Sequence, residues 1–319
     1  MKKTISGTTA LAILFAAGTA VAEPGCSASA HTQRLACEFD LRDDYFTARA
    51  GCLDAANADP ACIDDAGVDY DDGLDECNDV YDGRLELCES LGDATHDPAF
   101  GQGFAANFVD PLEIGGAVAP NPWFPLVAGN HWVYEGGDET IEVTVTGDTK
   151  LIDGITCIVV TDVVTEEDTV IEITNDWYAQ DVDGNVWYCG EIAENYEEFD
   201  GDETEGPELV DIDGSWKAGR DRAEPGVLLP FAPMVGDVFR QEMAQTDAED
   251  VIEVLATDAS EVAPGASCDG TCLMTRDFTP LEPGVSEHKF YAPGIGLIIE
   301  TDPDTGERVE LITFTGAGL

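Results

Sequence analysis

The chain has 319 residues, with 14 Lys and Arg against 66 Asp and Glu, and a formal charge of −52. Such a field repels nucleic acid and anionic membrane surfaces and attracts cations, so neither of the first two is expected as a partner. The length suffices for two domains and a sizeable core.

Residues 1–22 read as a secretory signal peptide. Met1-Lys2-Lys3 is basic, an apolar run covers Ala10 to Ala17, and Ala20-Val21-Ala22 precede Glu23. The run is too short to span a bilayer. Cys26 has Glu23 three residues before it, where a lipoprotein needs an aliphatic residue. The expected product is soluble, and periplasmic or extracellular. Losing Lys2 and Lys3 leaves twelve basic residues against 66 acidic ones, a formal charge of −54. All ten cysteines lie beyond the cleavage point, and an even count in an exported chain argues for disulfides.

Residues 23–92 predict a cystine-laced helical hairpin. Cys26, Cys37, Cys52, Cys62, Cys77 and Cys88 are separated by 11, 15, 10, 15 and 11 residues, a palindrome. At about 100° per residue, steps of 11 and 15 return to within roughly 20° and 60° of one helix face. Folding the chain back between Cys52 and Cys62 predicts the nested bridges Cys52–Cys62, Cys37–Cys77 and Cys26–Cys88. Ala30, Leu41, Tyr45 and Ala48 continue the first stripe, and Ala66, Tyr70, Tyr81 and Leu85 the second. Gly73 on the inward stripe predicts a close approach. The outer faces are acidic, which makes covalent rungs a plausible compensation, at roughly 2–4 kcal/mol per closed loop.

Residues 93–121 read as a linker punctuated by Asp97-Pro98, Asp110-Pro111 and Gly115-Gly116. Gly101-Gln-Gly103-Phe-Ala-Ala106 matches a dinucleotide string, but no strand precedes it, so the nucleotide reading is set aside.

Residues 122–319 predict an antiparallel β-barrel or meander. Eleven short strands are expected, at 131–135, 140–146, 156–164, 169–179, 185–191, 238–243, 251–256, 273–278, 288–292, 297–301 and 307–315. Gly136-Gly137, Asp153-Gly154, Asp183-Gly184, Asp269-Gly270 and Asp304-Thr-Gly306 supply turns. Residues 193–226 read as an acidic, irregular excursion. The hairpin around Asp183-Gly184 carries Trp177, Tyr178, Trp187 and Tyr188, aromatics on both strand faces. One set is expected to line a ligand site in the barrel core. The other is expected to lie under the helical arm, under the excursion or against another subunit.

Asn121-Pro-Trp-Phe-Pro-Leu-Val-Ala-Gly-Asn-His-Trp-Val-Tyr134, Asp176-Trp-Tyr-Ala-Gln-Asp181, Gly184-Asn-Val-Trp-Tyr188, Thr279-Pro-Leu-Glu-Pro-Gly284 and Tyr291-Ala-Pro-Gly-Ile-Gly296 are distinctive strings. Over residues 120–315 the chain resembles an uncharacterised family of secreted bacterial β-rich proteins, of calycin-like or half-barrel type. The resemblance implies a barrel-like fold and an envelope setting, and it carries over no catalytic residue.

No Gly-x-Ser-x-Gly elbow, His-Glu-x-x-His or phosphate loop occurs. Asp181, Asp183 and Asn185 alternate as calcium ligands do, but an EF-hand lacks its acids where Ala179 and Gly190 stand. Glu242, Glu249, Asp250, Asp277, Glu282, Glu287 and His288 form an acid-rich set on late strands and loops. Glu242, Glu282, Glu287 and His288 are its candidate ligands for calcium or another metal. Arg276 and Lys289 are expected to pair with nearby acids. Cys157, Cys189, Cys268 and Cys272 leave three pairings open. A simple meander puts Cys157 and Cys189 roughly 10 Å apart, too far to bridge unless the sheet closes on itself. Cys268 with Cys272 closes a short loop, and Cys157 with Cys272 is the rival. These features point to an exported, non-enzymatic binding or scaffold protein for an unknown small ligand or envelope protein. A calcium- or metal-dependent envelope enzyme built on the late-strand acids and His288 is the alternative.

Overall fold

The computed structural model describes residues 24–55, 60–199, 201 and 206–317; the expected signal segment lies outside them. Helices α1 (Cys26–Asp54) and α2 (Pro60–Ser90) form the antiparallel arm. Its rungs are Cys26–Cys88, Cys37–Cys77 and Cys52–Cys62, at Cα separations of 5.4, 5.9 and 5.8 Å. The helical period alone brings the partners opposite one another. Gly73 is where the helices approach: a Cβ there would overlap the Leu41 side chain.

Fifteen strands follow. They are β1 (His131–Gly136), β2 (Glu139–Ile152), β3 (Ile155–Glu166), β4 (Thr169–Gln180), β5 (Val186–Glu197), β6 (Glu208–Asp211), β7 (Trp216–Lys217) and β8 (Glu224–Leu229). The rest are β9 (Val238–Arg240), β10 (Glu242–Met243), β11 (Val251–Val262), β12 (Ser267–Phe278), β13 (Glu287–Ala292), β14 (Gly296–Thr301) and β15 (Arg308–Thr315). Thirteen run in the order β10-β8-β5-β4-β3-β2-β1-β15-β14-β13-β12-β11-β9, all pairs antiparallel, while β6 and β7 attach to β5. The two ends of that path are consecutive in sequence, so the sheet curls into a nearly closed barrel. Gln241, between them, makes the junction. Its N–H donates to Asp250 O beside β11, and its side-chain amide donates to Leu228 O on β8. Gly226 permits this closure, since a Cβ there would overlap the Arg240 carbonyl.

Two expectations are corrected and one open pairing is resolved. The 193–226 excursion is not wholly irregular: it carries the end of β5, all of β6 and β7 and the first half of β8, whose strand character Pro225 and Gly226 mask. Asp269-Gly270 is not a hairpin turn but an irregularity inside β12, and the chain reverses instead at 263–266. Cys157 bridges Cys189 across β4 at a Cα separation of 6.8 Å, and Cys268 bridges Cys272. The register places Gly190 opposite Trp177 and Tyr188 opposite Tyr178, so Cys189 is an extra, bulged residue. The bulge bends β5 enough for the reach that a regular meander denies.

The linker is packed. Phe100 and Phe108 contact the barrel wall, and its N–H groups pair with the sheet, Val109 N–H donating to Gln180 O. The Gly101–Ala106 string forms a short 3₁₀ turn at 102–107. Fully buried Asn121 fastens the wall: its amide donates to Gly184 O and Leu229 O, and its side-chain oxygen accepts from Trp123 and Phe124 N–H. Among the described residues no helix is long and apolar enough to cross a membrane.

Candidate functional site

The barrel encloses a cavity of about 300 Å3. Its apolar wall includes Phe124, Trp132, Val143 and Val160. Tyr134, Tyr178, Tyr188 and Tyr291 also line it, and so do Asp162, Asp176, Glu242, Asp250, Asp277 and Glu300, with Lys289 as the one basic residue. Glu300 is shared with an adjoining hollow of about 510 Å3, rimmed by Asp138, Glu139, Glu166, Glu287, Asp302 and Glu307 against one basic residue, Arg308. The cavity thus adjoins an acidic vestibule.

Lys289 holds one side of the site. Its ammonium lies 3.2 Å from Glu287, 3.2 Å from Glu300 and 3.6 Å from Asp277. Burial pulls it down, but Glu300, Asp277 and Glu287 together keep it well above its ordinary value. On the other side no cation among the described residues pairs with the acids. Burial, reinforced by Asp176, pushes Asp162 up to about 8. Burial outweighs the tyrosine hydrogen bonds and pushes Asp176 up to about 6. Burial and the Asp176 charge push Glu191 up to about 8. Glu242 stands well above the carboxylate range through burial and repulsion from Asp250. It is 3% exposed; among the described residues neither its Oε2 nor Asp162 Oδ1 has a hydrogen bond of ordinary length, although the Trp216 indole and the Asp250 carboxyl stand close enough to Glu242 to shift it. Tyr188 joins two of the acids, its hydroxyl lying 2.5 Å from Asp176 Oδ1 and 2.8 Å from Glu191 Oε2. It also stacks on Tyr178 at 4.8 Å and meets Trp216 edge-on at 5.4 Å.

The four hairpin aromatics divide. The turn is a three-residue one closed by Asp181 and Asn185, so Tyr178 pairs with Tyr188 and both face the cavity. Trp177 and Trp187 face the other way. Trp187 lies under linker rings, 6.2 Å from Phe100 and 5.8 Å from Phe108. Trp177 is covered by Lys150, whose ammonium sits 3.3 Å from the ring centre, and by Lys217 of the 193–226 segment. The arm, which was expected as a possible cover, docks elsewhere, on the 240–249 segment.

Asp181 stabilises the turn itself. Its carboxylate accepts from Asp183 N–H, Asn185 N–H, Asn185 Nδ2 and Trp187 Nε1, all at 2.9 Å. Asn185 Oδ1 accepts from Phe231 N–H. The late-strand set also divides. Glu242 faces the cavity and Glu287 its vestibule. Glu282 is exposed in a loop, and His288, between Glu287 and Lys289, points to the outer face. These side chains are not brought together, and no group of three or more His, Cys, Asp or Glu among the described residues is placed to hold a metal ion. Arg276 pairs with Glu253 at 2.9 Å.

Asp162 and Asp176 escaped the sequence reading. Asp162 lies within the Val-Thr-Asp-Val-Val run 160–164, in step with Val160. An acid on the inward parity of an apolar strand was the available signal.

The chain matches no family model, no curated protein and no solved structure, so the likeness of residues 120–315 to a secreted β-rich family identifies no family.

Proposed function

We propose that the barrel is the receptor of an extracytoplasmic binding protein for a small organic cation. The observation that carries this reading is Glu242, a buried carboxyl facing the cavity beside the Asp250 carboxyl, whose Oε2 receives no hydrogen bond of ordinary length from the described residues. A buried polar atom without a partner costs free energy that a ligand N–H can recover. Asp162 and Asp176 offer further acceptors, and the tyrosine faces suit an ammonium or guanidinium. The acidic vestibule steers cations inward. A cavity of about 300 Å3 fits a compact amine.

Calorimetric titration with spermidine, arginine and choline, each against a neutral analogue, tests it. At least one cation is expected to bind in preference to its analogue, and Glu242→Gln to weaken it at least about tenfold. No preference for any cation defeats the reading.

Five disulfides mark a protein of an oxidising, extracytoplasmic compartment. Export by cleavage after Ala22 is the route we infer, and a native N-terminus other than Glu23 contradicts it. An acid–base enzyme is the second reading, supported by the Tyr188 hydroxyl between Asp176 and Glu191. Chemical change in a bound cation during the same titrations favours it over simple binding.

A further inference from the structure

The arm meets the barrel over a pocket of about 280 Å3 with the opposite charge character. Arg84, Arg222 and Arg240 line it, together with His96. Three of the chain's nine arginines therefore gather in one place, in a sequence with 66 acids. Arg84 and Arg240 are buried, at 4% and 9% exposure.

Arg84 is satisfied. Its Nε donates to Glu249 Oε2 at 3.0 Å and its NH2 to Oε1 at 2.7 Å. Glu249 Oε1 also accepts from the Gln33 amide and from Thr246 N–H. Arg240 has a different environment. Its NH1 contacts Met243 Sδ and its NH2 contacts Cys26 Sγ, both at 3.2 Å. Sulfur is a weak acceptor. Among the described residues no carboxylate lies within ion-pair distance of Arg240; Glu249, bonded to Arg84, acts on it only at longer range. The other carboxylate in the lining, Glu224, is partly exposed. His96 is fixed through Nε2, which donates to Pro225 O at 2.9 Å. Arg222 stands at the exposed side, at φ 69°.

A buried guanidinium with only sulfur partners, on the wall of a cavity, lacks the oxygen ligand that its planar fork matches. We propose that this junction pocket binds a small oxyanion, with Arg240 as the principal donor and Arg222 closing the open side. Cys26 and Arg84 belong to the arm, Arg222 and Arg240 to the barrel, so the bound anion ties one to the other. The site is independent of the barrel cavity and of the cation reading.

The experiment titrates the folded full chain with inorganic phosphate, sulfate and acetate separately, at ionic strength held constant with chloride. Calorimetry and thermal melting are the readouts. Expected is saturable binding of at least one of the three, one ion per chain, with a raised melting temperature. Arg240→Gln is expected to lower affinity at least about tenfold, and Arg222→Gln several-fold. Arg222 is exposed, so its variant folds and keeps the test decisive if the Arg240 variant does not. The inference is overturned if none of the three ions acts differently from chloride, or if Arg222→Gln and a folded Arg240→Gln both bind as the wild type does.

Discussion

The Tyr188 hydroxyl lies 2.5 Å from Asp176 Oδ1, on the neighbouring strand, and 2.8 Å from Glu191 Oε2. A hydroxyl carries one proton. Two short contacts to carboxyl oxygens therefore require a proton on Asp176 or Glu191, which agrees with the upward shift of both. Tyr188→Phe removes the largest of the hydrogen bonds that hold Asp176 down, leaving only those of Tyr178 and Glu191 against burial. Asp176 is then expected to titrate above its value of about 6, with a stability loss of about 1–3 kcal/mol. Carboxyl-carbon NMR reads the first quantity and urea unfolding the second; an unchanged Asp176 titration contradicts the shared proton.

The empty barrel is expected to lose stability as pH rises. In the folded state Asp162 and Glu191 keep their protons to about pH 8 and Asp176 to about pH 6. The unfolded chain releases them near pH 4. The native state thus binds more protons through this window. Its contribution is complete below about pH 4 and is lost as pH climbs through the folded values. Each such proton is worth about 1.4 kcal/mol per pH unit. Urea midpoints should be higher at about pH 5 than at about pH 7.5. Asp162→Asn with Glu191→Gln should flatten the difference, which separates these groups from the general acidity of the chain. A difference that the double variant leaves intact assigns it elsewhere.

Arg84 and Glu249 form the buried ion pair at the base of the arm, at 2.7 Å. Glu249→Leu alone strands a buried guanidinium, at an expected cost of about 3–5 kcal/mol. Arg84→Met together with Glu249→Leu is expected to recover most of it. A double-mutant cycle by denaturant unfolding measures the coupling. Single variants as stable as the wild type show that the pair does not hold the arm.

The formal charge of −52 sets a further expectation. Stability should rise with sodium chloride, because salt screens self-repulsion. Calcium and magnesium at equal concentration should act alike. A melting shift at micromolar calcium that magnesium does not reproduce establishes a specific cation site, with Asp181, Asp183 and Asn185 the first residues to substitute.

The cysteine ladder of the arm was legible in the sequence because a helix has a fixed period. Six positions spaced 11, 15, 10, 15 and 11 residues apart leave one simple way to fold back. The strand meander was legible for a similar reason, since alternation and Asp-Gly turns are local. Gln33 and Arg84 carry a signal of their own in the sequence. Each sits in helical step with a cysteine, Cys26 or Cys88, on an otherwise inward face, and there they meet Glu249 of the barrel.

Only the tertiary structure decided which acids share the cavity. In a regular strand two consecutive side chains point to opposite faces, yet Gln241 and Glu242 both line it. The sheet breaks and changes partner between β9 and β10, and that break turns Glu242 inward. The bulge at Cys189 likewise brings Tyr188 and Glu191, three residues apart, to the same group of acids, and brings Cys189 within reach of Cys157. A one-residue irregularity reverses every parity after it. Such irregularities arise where the barrel must curl to close, which depends on strands distant in sequence and leaves no local mark.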